Sequence, residues 1–262
     1  MEPRVEVLRL ERCDVRNGKL LDKFTDRREA FQIMLGATLF KHQEVGAGFR
    51  GERVKIAGGS APNRMEGATA MAGPTLYLQR DTLDAPDFPH SGMLLRAHFD
   101  RRHPSFGGKA DYSKWHFDYQ GYFSLTRRSS VRISAGGGYT RGQVPFYDQF
   151  YIGGYSFSEN ASRQFLGLQK DEIAARQMGS IGAGYRYQLF SDPLMFVRRG
   201  FLTAMYNGVF SSTRTASPYN FDMVNGVGIS LALETLIGPF RITGGWAENG
   251  RLHYNISFGP SF

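Results

Sequence analysis

Apolar residues recur at every second position along most of this chain. The last segment is the clearest. Leu252, Tyr254, Ile256 and Phe258 share one face with Phe262 in step, while His253, Asn255 and Ser257 share the other. Before it, Phe240, Ile242 and Trp246 alternate with Arg241 and Thr243, and Val227, Ile229 and Leu231 alternate with Gly228, Ser230 and Glu234. The pattern continues backwards through Ile181, Tyr185 and Tyr187, then Val131, Ile133 and Tyr139, then Trp115, Phe117 and Phe123, then Met93, Leu95 and Phe99. Weaker alternation covers residues 73–79, 45–56, 31–40 and 4–10, and residues 201–210 are strand-like without a settled face. Period-two alternation predicts β-strands, about twelve of them, with no helix between.

An apolar face opposite a face of Arg, His, Asp, Gln, Ser and Gly fits two architectures. A soluble barrel turns the apolar face inward. With this many glycine-rich strands it would enclose an apolar core that the side chains hardly fill. A membrane barrel turns the same face out to lipid and lines its lumen with the polar one. Connection lengths favour the second. Residues 236–239, 190–193, 126–129 and 41–43 make short links, whereas 211–221, 143–177, 100–111, 57–64 and 11–30 make long ones on the opposite side of the sheet. Short periplasmic turns and long extracellular loops are the membrane-barrel rule. Residues 247–250 and 80–92 depart from it.

Composition permits this reading without requiring it. The 262 residues include 32 glycines and 14% aromatics, with a formal net charge of +8. Mean hydropathy is -0.36, as expected when apolar and polar positions alternate. No run approaches the roughly 18 apolar residues of a membrane helix, and Met1-Glu2-Pro3-Arg4 begins no secretory signal. The basic residues are scattered and form no nucleic-acid-binding motif, so nucleic acid is not an expected partner. The single cysteine, Cys13, allows no intramolecular disulfide.

The long connection has a composition of its own. Residues 144–168 carry Pro145-Phe146-Tyr147, then Phe150-Tyr151-Ile152-Gly153-Gly154, then Arg163-Gln164-Phe165. Loops of this length are usually functional or disordered, and so many aromatics seek packing partners. The motif resembles the sixth extracellular loop of the BamA/TamA-like outer-membrane superfamily, the bacterial surface antigens. There the pattern is Pro-Phe, an aromatic, Gly-Gly, then Arg-Gly-Phe or Arg-Gly-Tyr; here Gln164 replaces the last glycine. Phe165-Leu166-Gly167-Leu168 is similar to the C-terminal barrels of patatin-like type Vd secreted phospholipases. Asp81, Asp84, Pro89 and Gly92 resemble the superfamily's Asp-x-x-Asp-x-x-x-x-Pro-x-x-Gly turn. Tyr254, Phe258 and the terminal Phe262 resemble the strand signal read by the barrel assembly machinery.

The resemblance implies an all-β fold, an antiparallel transmembrane β-barrel with about twelve strands of a family sixteen. Residues 1–262 would form its C-terminal part, without the upstream POTRA modules or any passenger domain. It implies residence in the bacterial outer membrane, contact with its lipid, and the moving or inserting of a polypeptide substrate or passenger. It also implies that Arg163 pins the loop to the inner wall, where alternation offers Asp118 and Glu234; residues 180–188 offer no acid. Alternatives are a self-contained twelve-stranded channel, or the barrel anchor of a patatin-like phospholipase. Gly58-Gly59-Ser60-Ala61-Pro62 lacks the last glycine of a nucleophile elbow. No catalytic set, metal site or cofactor-binding motif is recognised, so no enzymatic activity, metal or cofactor is expected.

Overall fold

A computed structural model describes residues 2–16, 19–57, 67–154, 163–191, 196–212, 222–248 and 251–259. The first seven strands of its main sheet are β1 (Glu2–Arg16), β2 (Lys19–Thr38), β3 (Gln43–Ala57), β4 (Gly67–Asp81), β5 (Gly92–Arg102), β6 (Tyr112–Thr126) and β7 (Ser129–Gly142). Two short strands, β8 (Phe150–Ile152) and β9 (Ile173–Ala175), form a ribbon inside the long connection. The sheet resumes with β10 (Gln177–Phe190), β11 (Val197–Ser212), β12 (Asp222–Thr235), β13 (Gly238–Ala247) and β14 (Arg251–Phe258). All neighbours are antiparallel and the order is sequential, with β7 pairing β10 and no pairing of β1 with β14 among the described residues.

The faces divide as the alternation predicts. Tyr254, Ile256 and Phe258 are 66%, 68% and 57% exposed. Trp115, Tyr139 and Trp246 stand outward near one rim, and Phe123, Tyr187 and Phe258 near the other. Such aromatic girdles flank the apolar band of a membrane barrel. On β2 and β3 the band includes Phe31, Leu35 and Phe49; above it Arg27, Glu29, Arg53 and Lys55 follow on the same face. The inner wall carries the polar set, including Arg28, Glu52, Asp118, Ser130, Arg186, Ser230 and Thr243, all buried. Residues 201–210 also resolve: Phe201, Met205 and Val209 are buried, whereas Leu202, Tyr206 and Phe210 are exposed.

One sequence expectation is corrected. Residues 11–30 are not a long loop, because β1 and β2 run through them for 15 and 20 residues. Their charged residues end the apolar alternation, which marks where the lipid band ends. Antiparallel pairing needs only backbone groups, so the ladder continues beyond it. Phe262 and the Gly58–Pro62 stretch lie outside the described residues.

The inverted faces predict asymmetric tolerance to charge. Ile256→Arg, in the middle of the band on β14, should lower stability by about 2–4 kcal/mol. Asn255→Arg, on the opposite face, should change it by less than about 1 kcal/mol. Equilibrium urea unfolding in phospholipid vesicles measures both.

Candidate functional site

Residues 143–154 and 163–176 lie in the lumen, and their path is set by short-range chemistry. Pro145 precedes a turn of 3-10 helix, Phe146–Asp148, whose end is marked by the Gln149 amide donating to the Phe146 carbonyl. The chain then enters β8, which pairs with β9 through Phe150–Ala175, Tyr151–Ala174 and Ile152–Ile173. Gly153 and Gly154 take positive φ of 130° and 78°, the reversal that residues with a Cβ resist. After it, the Phe165 amide donates to the Gly154 carbonyl at 2.8 Å, and the Gly153 amide to the Arg163 carbonyl at 3.0 Å.

The loop supplies its own apolar cores. Val144 and Tyr147 pack with Val54 and Ile56 of β3, Met71 of β4 and Tyr112 of β6. Phe150, Ile152, Phe165 and Leu168 pack with Met178, Val209 and Ala247. Phe150, Ile152 and Phe165 have no exposed area. Burying each such side chain contributes about 1.5–3 kcal/mol, so this packing dominates the loop's docking.

The wall is shaped to receive it. A Cβ on Gly138 of β7 would lie 2.5 Å from the Phe150 ring. Cβ atoms on Gly226 and Gly245 would lie 2.6 Å from the Phe165 ring and from the Gly167 amide nitrogen. Gly167, at φ 86°, itself lies against the backbone of Trp246 and Ala247. Phe165-Leu166-Gly167 therefore rests on the bare inner backbone of β12 and β13.

The polar anchor of the loop is Asp148. Its carboxylate lies 3.4 Å from Arg28 Nη1 and 3.5 Å from Lys114 Nζ, and accepts a short hydrogen bond from the Tyr112 hydroxyl. Lys114 Nζ also donates to the Asp148 carbonyl at 2.7 Å, and Arg28 Nη2 to the Tyr147 carbonyl at 2.6 Å. Arg28 is fixed from behind by Asp26, which is fully buried. Burial by itself raises the Asp148 pKa, but Lys114, Arg28 and the Tyr112 hydroxyl outweigh it and hold the carboxyl well below the usual range.

The residues singled out by sequence fall in different places. Pro145, Phe146, Gly153, Gly154 and Phe165 all belong to the lumen segment just described. The Arg163 guanidinium carbon lies 5.9 Å from the centre of the Phe150 ring, and the side chain is close enough to Lys114, His98 and His116 to act on them electrostatically. Asp118 is fully buried on the same face of β6, two residues beyond His116 and opposite Arg96. Glu234 sits beside the β12–β13 turn and pairs with Arg199 of β11, away from the loop. Sequence reasoning missed Asp148, Arg28, Tyr112 and Lys114. Only one signal was available: Asp148 is the acid directly after Pro145-Phe146-Tyr147.

A second connection also enters the lumen. Asp84 accepts from the His90 amide at 2.8 Å and from Ser91 Oγ, which folds the β4–β5 turn inward. Phe88 is thereby buried against Phe201, with ring centres 4.9 Å apart. Arg186 donates to the Pro89 carbonyl at 2.8 Å. The long link on the short side of the sheet is thus a second piece of lumen packing.

Three outcomes are expected. Asp148→Ala, which leaves the buried Lys114 without its acid and Arg28 with Asp26 and Glu52 only, should destabilise loop docking by about 3 kcal/mol, read as faster proteolysis of residues 143–176. Because the Asp148 pKa is depressed in the docked state, its contribution is complete above the ordinary aspartate range. It is lost as pH falls through that range toward the docked value. Acid should loosen the loop in the native chain, and Asp148→Asn should remove that part of the pH dependence. Separately, Gly245→Val should undock Phe165-Leu166-Gly167 while the strands persist, seen as proteolysis without loss of β-sheet circular dichroism.

Comparison with known proteins places this geometry. No protein of curated function matches the chain. Its structure is similar to BamA from Haemophilus ducreyi lacking POTRA domains 1-3, with TM-score 0.68 at 14% identity over 97% of this chain and 58% of that one. It is also similar to CdiB from Escherichia coli, with TM-score 0.64 at 17% identity over 91% of this chain and 44% of that one. The chain therefore spans about half the length of these relatives. The finer likeness to patatin-like phospholipases remains a sequence resemblance of residues 165–168. The model of the Omp85 superfamily domain matches residues 16–262, nearly the whole length, and the chain belongs to the Omp85 superfamily.

Proposed function

We propose that this chain is an outer-membrane barrel that inserts or translocates polypeptide at the bacterial outer membrane, acting through shape and not through a catalytic site. The observation that carries the reading is the lumen-seated loop, in which Val144, Tyr147, Phe150 and Phe165 pack against the inner wall and Asp148 supplies the polar anchor. Membership of the superfamily and the folds of BamA and CdiB support it. On this reading the twelve strands are the C-terminal part of a larger barrel, and its substrate is an extended polypeptide or a passenger domain. Edge strands offer such a substrate backbone pairing partners.

Reconstitution tests the proposal. Vesicles containing the chain should fold an added, urea-unfolded outer-membrane barrel protein faster than empty vesicles. No acceleration, combined with a steady open conductance across a planar bilayer, would favour the channel alternative.

A further inference from the structure

The turns on the short-connection side repeat one arrangement that the loop and the strand faces do not explain. Phe40 and Ile237 are the most exposed large apolar residues described, at 85% and 80%, and both sit at turn tips. Phe40 holds a positive φ of 64°, a conformation that bulky residues rarely adopt. Phe196 and Leu236 are also exposed, and their turns touch through a hydrogen bond from the Leu236 amide to the Phe196 carbonyl at 3.1 Å. Apolar tips facing plain water would be a steady cost.

Bases follow three of the four turns closely, and the Leu236-Ile237 tip is followed by none before the buried Arg241. Lys41 is next to Phe40, Arg127 and Arg128 follow the exposed Leu125, and Arg198 follows Phe196. All four are exposed, and none makes an ion pair with another described residue. The acids on this side include Glu44, which accepts from the Tyr77 hydroxyl, and Asp87 in the β4–β5 turn, and the rest are engaged elsewhere. Asp81 accepts from the Leu83 amide and Asp84 from His90 and Ser91, within the turn that Phe88 draws under the lumen. Glu234 is paired with Arg199. Asp192 shares the 191–196 turn by sequence and lies outside the described residues.

We propose that this rim binds anionic phospholipid headgroups of the periplasmic leaflet. Phe40, Phe196 and Ile237 reach the first acyl carbons, and Lys41, Arg127, Arg128 and Arg198 meet the phosphates. The chemistry is that of an interfacial anchor, in which an apolar group enters the bilayer and an adjacent base stays at headgroup level. Each base near an anionic membrane surface strengthens attachment by about fivefold. The proposal rests on the outer-membrane reading, and goes beyond it in naming the lipid class and the leaflet.

Native mass spectrometry of the full chain, released from micelles containing phosphatidylglycerol and phosphatidylcholine, tests it. Phosphatidylglycerol should be retained in preference. Arg127→Gln with Arg128→Gln should weaken that preference by on the order of tenfold or more, while Arg53→Gln with Lys55→Gln on the opposite rim should leave it unchanged. No preference in the native chain, or equal loss from the two pairs, overturns the proposal. So does a photo-crosslinker at position 40 that captures a periplasmic protein and no phospholipid in cells. A chain that enters no bilayer overturns the outer-membrane reading as well, whereas insertion without lipid preference overturns this proposal alone.

Discussion

The docked loop depends on an acid that comes from the loop and bases that come from the wall. Arg28 and Lys114 project from β2 and β6 into a partly dry lumen, where two such charges repel and each needs an anion. Asp26 answers one of them, and Asp148 completes the set. An ion pair of this kind adds little net stability, because desolvation offsets most of the attraction. The favourable free energy comes from Phe150, Ile152 and Phe165, which lose all contact with water. The charges do a different job: they are directional and hold Asp148 opposite Arg28 and Lys114. Arg28 lies next to Glu29, the first outward charge above the band, so the anchor is level with the upper edge of the lipid.

The two halves of the wall receive the loop in different ways. Strands β2 to β6 offer charged and phenolic side chains that reach toward it. Strands β7, β12 and β13 offer glycine, and the loop comes to them. This is why glycine is dense in strands where it would ordinarily weaken pairing. Its inward hydrogen leaves space for a ring or for another backbone.

Much of this was legible in the chain. Alternation marks the strands, their faces and the side to which each connection belongs, because successive side chains of a strand point to opposite faces and only one face here is apolar. Below about Phe31 alternation identifies β2; above it charged residues remove the apolar half of the pattern, and only backbone pairing shows that the strand continues. The loop's entry into the lumen followed from its aromatics. What alternation cannot supply is which inward residue lies across the lumen from which, since that depends on curvature summed over many strands. Arg163 drew attention by resemblance, and Glu234 by facing inward, yet Glu234 stands near the far rim beside Arg199. Alternation puts Gly138 of β7 on the polar face and says nothing of Gly226 or Gly245. Their meaning as seats appears only when Phe150 and Phe165 are in place.

Curvature is where the two lumen connections come together. Hydrogen bonds between neighbouring strands set local twist, but they leave the distance between remote strands free. The loop spans that distance from above, from Arg28 on β2 to the backbone of Ala247 on β13. The β4–β5 turn spans it from below, where Phe88 reaches Phe201 and Ala232, and Pro89 meets Arg186. Each bridge is anchored by an arginine and filled by an aromatic, so each combines a directional contact with an area-driven one. A sheet held only along its ladders can open or close by small changes at every strand pair. Two struts at different heights convert that soft motion into one requiring the loss of a buried ring, a much steeper barrier. The same side chains that dock the two connections thereby hold the sheet's curl.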